Sequence, residues 1–97
     1  MEINKFLVEK GVFPNLIGFN YLITAVEIVK KEKHLQITKE LYPMVAKQYK
    51  TTSSRVERAI RTIVSNKLTL KDYKSIGIGK RPSNGEFIHF FANMEDK

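Results

Sequence analysis

The sequence predicts an all-α fold: a compact bundle of about six helices containing a helix-turn-helix, as a single domain over residues 1–97. Three observations support that expectation. Apolar residues recur at helical spacing along nearly the whole chain, and no run of alternating β-branched residues bounded by hairpin turns breaks the pattern. Glycine, proline and a Thr/Ser cluster separate the periodic stretches. The length of 97 residues suits one small domain and not two, and a hydrophobic fraction of 42% argues against a disordered chain.

The elements follow in order. Ile3 to Glu9 forms a first helix with Phe6 and Leu7 inward, ended by Gly11 and the turn at Pro14. Asn15 to Lys31 forms the second. Leu16, Ile17, Phe19, Leu22, Ile23, Val26, Ile28 and Val29 take up most of its circumference, which places it centrally. Lys30 and Lys31 suit the negative end of its dipole. Thr38 is expected to cap a third helix reaching about Tyr49. Pro43 removes a backbone donor inside it, so the helix kinks there or Pro43 opens a fresh helix. Either way Leu41, Val45, Ala46 and Tyr49 make the inward stripe.

KTTSS is a polar turn, and SRVERAIRTIVSNK the fourth helix. Thr52 as N-cap and Ser54 with Glu57 as a capping box are alternative starts. TLKDYKSIG holds a short fifth helix stopped at Gly77, and IGIGKRP is a loop. Ser83 with Glu86 is a capping box opening the last helix, EFIHFFANM. Phe87, Ile88, Phe90 and Phe91 are expected in the core, with a dimer contact over one or two of them as the alternative.

The net charge of +7 is unevenly placed. Residues 33–81 hold twelve Lys and Arg against Glu40, Glu57 and Asp72, while residues 1–32 balance to zero and residues 82–97 are acidic. A solvated surface is the bland reading. A face for a polyanion is the sharper one, because clustered cations gain by releasing condensed counterions.

Several function classes drop out. The absence of Cys excludes disulfides, thiolate zinc sites and a cysteine nucleophile. No apolar run reaches the ~18 residues of a membrane span, and no secretory signal is visible, so a cytoplasmic protein without membrane contact is expected. IGIGKRP lacks the spacing of a phosphate loop, and His34 and His89 fall in no metal-binding motif. His89 reads as a half-buried filler and His34 as surface. The acids are scattered, unlike those of a metal-dependent nuclease. The expectation is therefore a protein that is not an enzyme, with no catalytic residues, no cofactor, no metal and no small-molecule substrate.

The fourth helix has two faces. At about 100° per residue, Val56, Ala59, Ile60, Ile63 and Val64 share one arc. Ser54, Arg58, Arg61 and Ser65 lie opposite, flanked by Arg55, Glu57 and Thr62. Most such faces are only solvated. Here the face carries arginines, whose planar fork matches guanine O6 and N7, and a short helix and a turn precede it in helix-turn-helix order. Arg58 and Arg61 are candidate readers of guanine edges. Glu57 accepts from a cytosine amine or holds Arg61 at i+4. Lys47, Lys50, Thr51, Thr52, Ser54, Arg55, Ser65, Lys80 and Arg81 are candidate DNA-backbone contacts, Lys80 and Arg81 being equally readable as solvated.

The run ITKELYPMVAKQYKTTSSRVERAIR closely resembles the helix-turn-helix of the C-terminal DNA-binding domain of stage zero sporulation protein A, most specifically in LYP, VAKQYKTT and SRVERAIR. GVFPNLIGFNYL resembles that family's second helix and PSNGEFI the start of its last, so the likeness runs from about Gly11 to Ala92. The resemblance implies six helices, with the third and fourth reading DNA. It also implies sequence-specific binding of double-stranded DNA at a short promoter box, often present as tandem copies, with a homodimer on such tandem sites as the expected assembly, and transcriptional activation or repression. Its base and backbone contacts fall on Glu57, Arg58 and Arg61. Full-length members carry a receiver domain with a phospho-accepting Asp, for which 97 residues leave no room, so control by phosphorylation is not implied. The segment before the last helix looks shorter here, and the family's target box is not carried over. The alternative reading is an interaction protein that pairs with a full-length sporulation-type regulator and modulates it.

Overall fold

The computed structural model describes residues 2–95. The helices are α1 (Ile3–Glu9), α2 (Ile17–Lys31), α3 (Tyr42–Gln48), α4 (Ser53–Arg61), α5 (Leu70–Lys74) and α6 (Asn84–Glu95). Two π-wound turns adjoin them: Ile37–Leu41 leads into α3, and Thr62–Lys67 extends α4. No strand occurs among the described residues. The architecture is the all-α bundle that the periodicity predicts.

The long apolar helix α2 runs through the middle, with α6 and α4 packed on it and α3 packed on α4. Leu22, Ala25 and Val26 of α2 are fully buried, together with Leu7, Leu41, Val56, Ile60, Leu68, Tyr73, Phe87 and Phe91. Phe6, Phe87, Phe90 and Phe91 form a chain of tilted and edge-on ring contacts 5.0–5.3 Å apart. Ile88 is buried as well and Phe90 half-buried, which fits the core reading of this stretch. His89 is half-buried and His34 exposed.

One close approach fixes the crossing of α2 and α4. A Cβ placed on Gly18 would stand 2.5 Å from the Ala59 carbonyl oxygen and 2.9 Å from Ile63 Cδ1. Only a residue without a side chain lets the two backbones meet there.

Three helices end in the same hydrogen-bond pattern. The N–H groups of Gly11 and Val12 return to the carbonyls of Val8 and Leu7, those of Lys50 and Thr51 to Lys47 and Ala46, and those of Gly77 and Ile78 to Lys74 and Tyr73. The pattern needs a residue with positive φ at its hinge. Gly11 (φ 84°) and Gly77 (φ 91°) supply it without cost, as their expected stop roles require, and Lys50 (φ 55°) supplies it against its own Cβ.

Some boundaries differ from expectation. α2 starts at Ile17, not Asn15, and Ile17 is exposed at the helix entrance. Thr38 does not cap the third helix: it lies inside the π-wound turn, while the Glu40 carboxylate accepts the N–H of Gln36 at 2.8 Å. The N–H groups that a cap at Thr38 would take, those of Glu40 and Leu41, already donate to the Gln36 carbonyl at 2.9 and 3.0 Å. Pro43 falls in the first turn of α3, but Leu41 and Tyr42 before it are both helical and Tyr42 N–H donates to the Ile37 carbonyl, so Pro43 stands where π winding changes to α within one continuous winding and opens no separate helix. Thr52, not Ser54, caps α4, its Oγ1 accepting from Arg55 N–H at 3.2 Å. Thr69 and Asp72 make a reciprocal box that starts α5, and Ser83 and Glu86 make the expected one at α6. The Ser83 backbone and hydroxyl hold the Glu86 carboxyl below its usual range. Tyr73 donates its buried hydroxyl to the Val64 carbonyl, tying α5 to the end of the fourth helix; burial drives that phenol's pKa far up.

Candidate nucleic-acid interface

α3 and α4 pack directly against each other across the connection 49–52. Tyr49 anchors that connection to α2: its hydroxyl lies 2.7 Å from Thr24 Oγ1, and its ring meets Tyr21 edge-on at 5.1 Å. The turn therefore holds α4 at a fixed angle to the core rather than on a loose tether.

The back of α4 is sealed. Val56 and Ile60 are fully buried, and Ile63 and Val64 continue the seal into the π-wound turn. Ser54, Arg55, Arg58, Arg61, Thr62 and Ser65 are exposed in front. Among the described residues none bonds the Arg58 guanidinium; its carbonyl accepts from Thr62 Oγ1 at 3.0 Å. Arg61 Nη1 stands 3.7 Å from Glu57 Oε1, with the Arg61 side chain 56% exposed. An ion pair this open is worth only a few tenths of a kcal/mol, so Arg61 can release it for another partner.

Glu57 sits lower than its neighbours. It is half-buried, and its Oε2 accepts from Asn84 Nδ2 at 3.3 Å. The same amide nitrogen donates to the Tyr42 hydroxyl at 3.2 Å. Burial raises the Tyr42 pKa; the Asn84 hydrogen bond opposes that rise and the Glu57 charge adds to it. Tyr42 is therefore a neutral phenol at any ordinary pH. Of the two roles expected for Glu57, the structure displays the holding of Arg61.

Thr38, Tyr42, Ser53, Ser54, Glu57, Arg58 and Arg61 line one concavity of about 280 Å³ along this side of α4. Sequence reasoning missed Thr38, Tyr42 and Ser53 as part of this surface. The periodicity of α4 encodes its own faces and not the residues that other elements bring against them. A second groove, of about 170 Å³, runs along the opposite flank between Leu16, Ile17 and Gly18 of the α2 entrance and Ala59, Thr62 and Ile63.

The candidate backbone residues divide between the two ends of the fourth helix. Lys47 and Lys50 are exposed beside the N-terminal end, with Thr51 half-buried and Thr52 spent on the cap. Lys80 and Arg81 are exposed in the loop before α6. Arg81 is not merely solvated: its Nη1 donates to the carbonyls of Ser65 at 2.9 Å and Leu68 at 3.2 Å. These are orphan carbonyls at a helix end, where a cation also meets the dipole favourably. The loop is thereby pinned beside the C-terminal end of the helix, opposite Lys47 and Lys50.

The surface offers many charged and hydroxyl donors on a ridge one helix wide, with a single half-buried carboxylate behind them. Such a ridge suits a groove lined with acceptors. Among the described residues no three His, Cys, Asp or Glu side chains gather as metal ligands, and no helix is long and apolar enough to cross a membrane. Residues 3–94 match the family model described as sporulation initiation factor Spo0A C terminal.

Proposed function

Because the chain belongs to the Spo0A C-terminal family of DNA-binding effector domains, we propose that it binds double-stranded DNA sequence-specifically and regulates transcription, with the fourth helix lying in the major groove. The observation that carries this reading is the split across α4: Val56 and Ile60 fully buried, Arg58 and Arg61 open to solvent on the other side. A helix anchored so firmly by its back presents its front at defined depth and angle, which reading base edges requires.

In this mechanism Arg58 and Arg61 meet guanine O6 and N7, and Glu57 orders Arg61 from behind. Lys47, Lys50, Thr51, Thr52, Ser54, Arg55, Ser65, Lys80 and Arg81 form the backbone set, gripping phosphates on either side of the groove and fixing register. The Arg81 hydrogen bonds to Ser65 and Leu68 hold that loop in place while further N–H groups of its guanidinium stay available. Two copies occupy tandem boxes, and the protein works in the cytoplasm, where a sporulation regulator finds its promoters.

The test is a mobility-shift titration on a site selected from random oligonucleotides. Arg58→Ala should lose on the order of 1–3 kcal/mol and relax the preference at one base position. Unchanged affinity and unchanged preference together would remove Arg58 from the base-reading set.

A further inference from the structure

We propose that Asn84, in the first turn of α6, is a positioning residue for base recognition: it holds the Glu57 carboxylate, and through it the Arg61 guanidinium, in one orientation before DNA arrives. The inference rests on the reading that Arg61 faces bases.

The Asn84 amide nitrogen lies 3.2 Å from Tyr42 Oη, 3.3 Å from Glu57 Oε2 and 3.5 Å from the Glu57 carbonyl oxygen. The two Glu57 oxygens can only accept, so the amide must turn its NH2 toward this cluster. Asn84 itself is held firmly. It follows Ser83, whose box with Glu86 seals the start of α6, and α6 packs on both α2 and α4. Tyr42 is 4% exposed and anchored in the core.

Without this brace the half-buried Glu57 carboxylate is free to change rotamer, and Arg61 loses a partner of fixed position. With it, one carboxylate oxygen is bound to a rigid element and the other is left for Arg61. A long flexible side chain is thus partly ordered in advance, and less entropy is lost when it docks. The device joins three elements around one carboxylate: α3 through Tyr42, α4 through Glu57 and Arg61, and α6 through Asn84.

The experiment compares Asn84→Ala, Asn84→Asp, Arg61→Ala and the Asn84→Ala/Arg61→Ala double variant. Each is titrated against the selected site, its single-base variants and unrelated duplex, with thermal unfolding run alongside. Asn84→Ala should lose about twofold in discrimination, the fold-change that an open i,i+4 pair is worth, at the base position relaxed by Arg61→Ala. Its affinity for unrelated duplex and its salt slope should not change. In the Arg61→Ala background, Asn84→Ala should add nothing. Asn84→Asp keeps a residue favourable to a helix start but sets carboxylate against carboxylate. It should therefore lose discrimination while the fold survives, which covers the case of an unstable alanine variant.

Equal weakening on every sequence, or additive effects in the double variant, would overturn the proposal. If Arg61→Ala relaxes one position and neither Asn84 variant does, the brace alone is refuted. If Arg61→Ala itself relaxes none, the base-reading role of Arg61 fails and the brace falls with it.

Discussion

Lys50 stands at the hinge between α3 and α4 in a backbone conformation that disfavours L side chains. Gly11 and Gly77 take the corresponding places in the other two helix ends. A lysine there costs stability, and a cation there lies beside the N-terminal end of α4. Lys50→Gly should raise unfolding free energy by about 0.5–1 kcal/mol in a denaturant titration, while weakening DNA of any sequence through the lost charge. A variant no more stable than the parent would show that the hinge conformation is unstrained. Other single residues act within reach of their own backbone. Thr52, Thr69 with Asp72, and Ser83 with Glu86 start α4, α5 and α6 by bonds spanning three residues. Such bonds are legible in sequence because the partners are fixed by helix geometry. Thr38 is no cap because the winding already starts at Ile37 and the Gln36 carbonyl takes the N–H groups of Glu40 and Leu41.

Among the elements, α2 and α4 decide the placement of the exposed arginine face. Their apolar arcs are visible as periodic spacing, but the depth of their crossing is not. Gly18 in isolation is a weak point in a helix; its value lies in the Ala59 backbone pressed against it. Gly18→Ala should destabilise by about 1–3 kcal/mol, as overpacking does, because the Ile63 side-chain end can yield and the Ala59 carbonyl cannot. A thermal scan showing a loss below a few tenths of a kcal/mol would mean that the helices separate freely, and that this contact does not set the angle of α4. The fifth helix, short as it is, has a comparable role: the Thr69–Asp72 box starts it, and the Tyr73 hydroxyl fastens it under the end of the fourth helix.

For the whole molecule, the charge map and the fold agree. The cation-rich stretch 33–81 contains α3, α4, α5 and the loop ahead of α6, and Arg81 folds that loop against the end of the fourth helix. Candidate phosphate contacts thus flank both ends of one ridge. Lys80→Ala should weaken specific and unrelated duplexes alike and flatten the dependence of log K on log salt by about 0.9. A sequence-selective loss, or an unchanged slope, would place Lys80 away from the phosphates.

The order of the helices, the central position of α2, the two-faced character of the fourth helix and the cationic bias were settled by the sequence itself. Each depends on repeat spacing or on groups a few residues apart, and helix geometry converts that spacing directly into position. Tertiary structure alone decided that Asn84 meets Glu57 from 27 residues away, that Arg81 closes the end of the fourth helix, and that Gly18 admits Ala59. Those partners lie on different elements, and nothing in local spacing encodes a distance that exists only after the chain has packed.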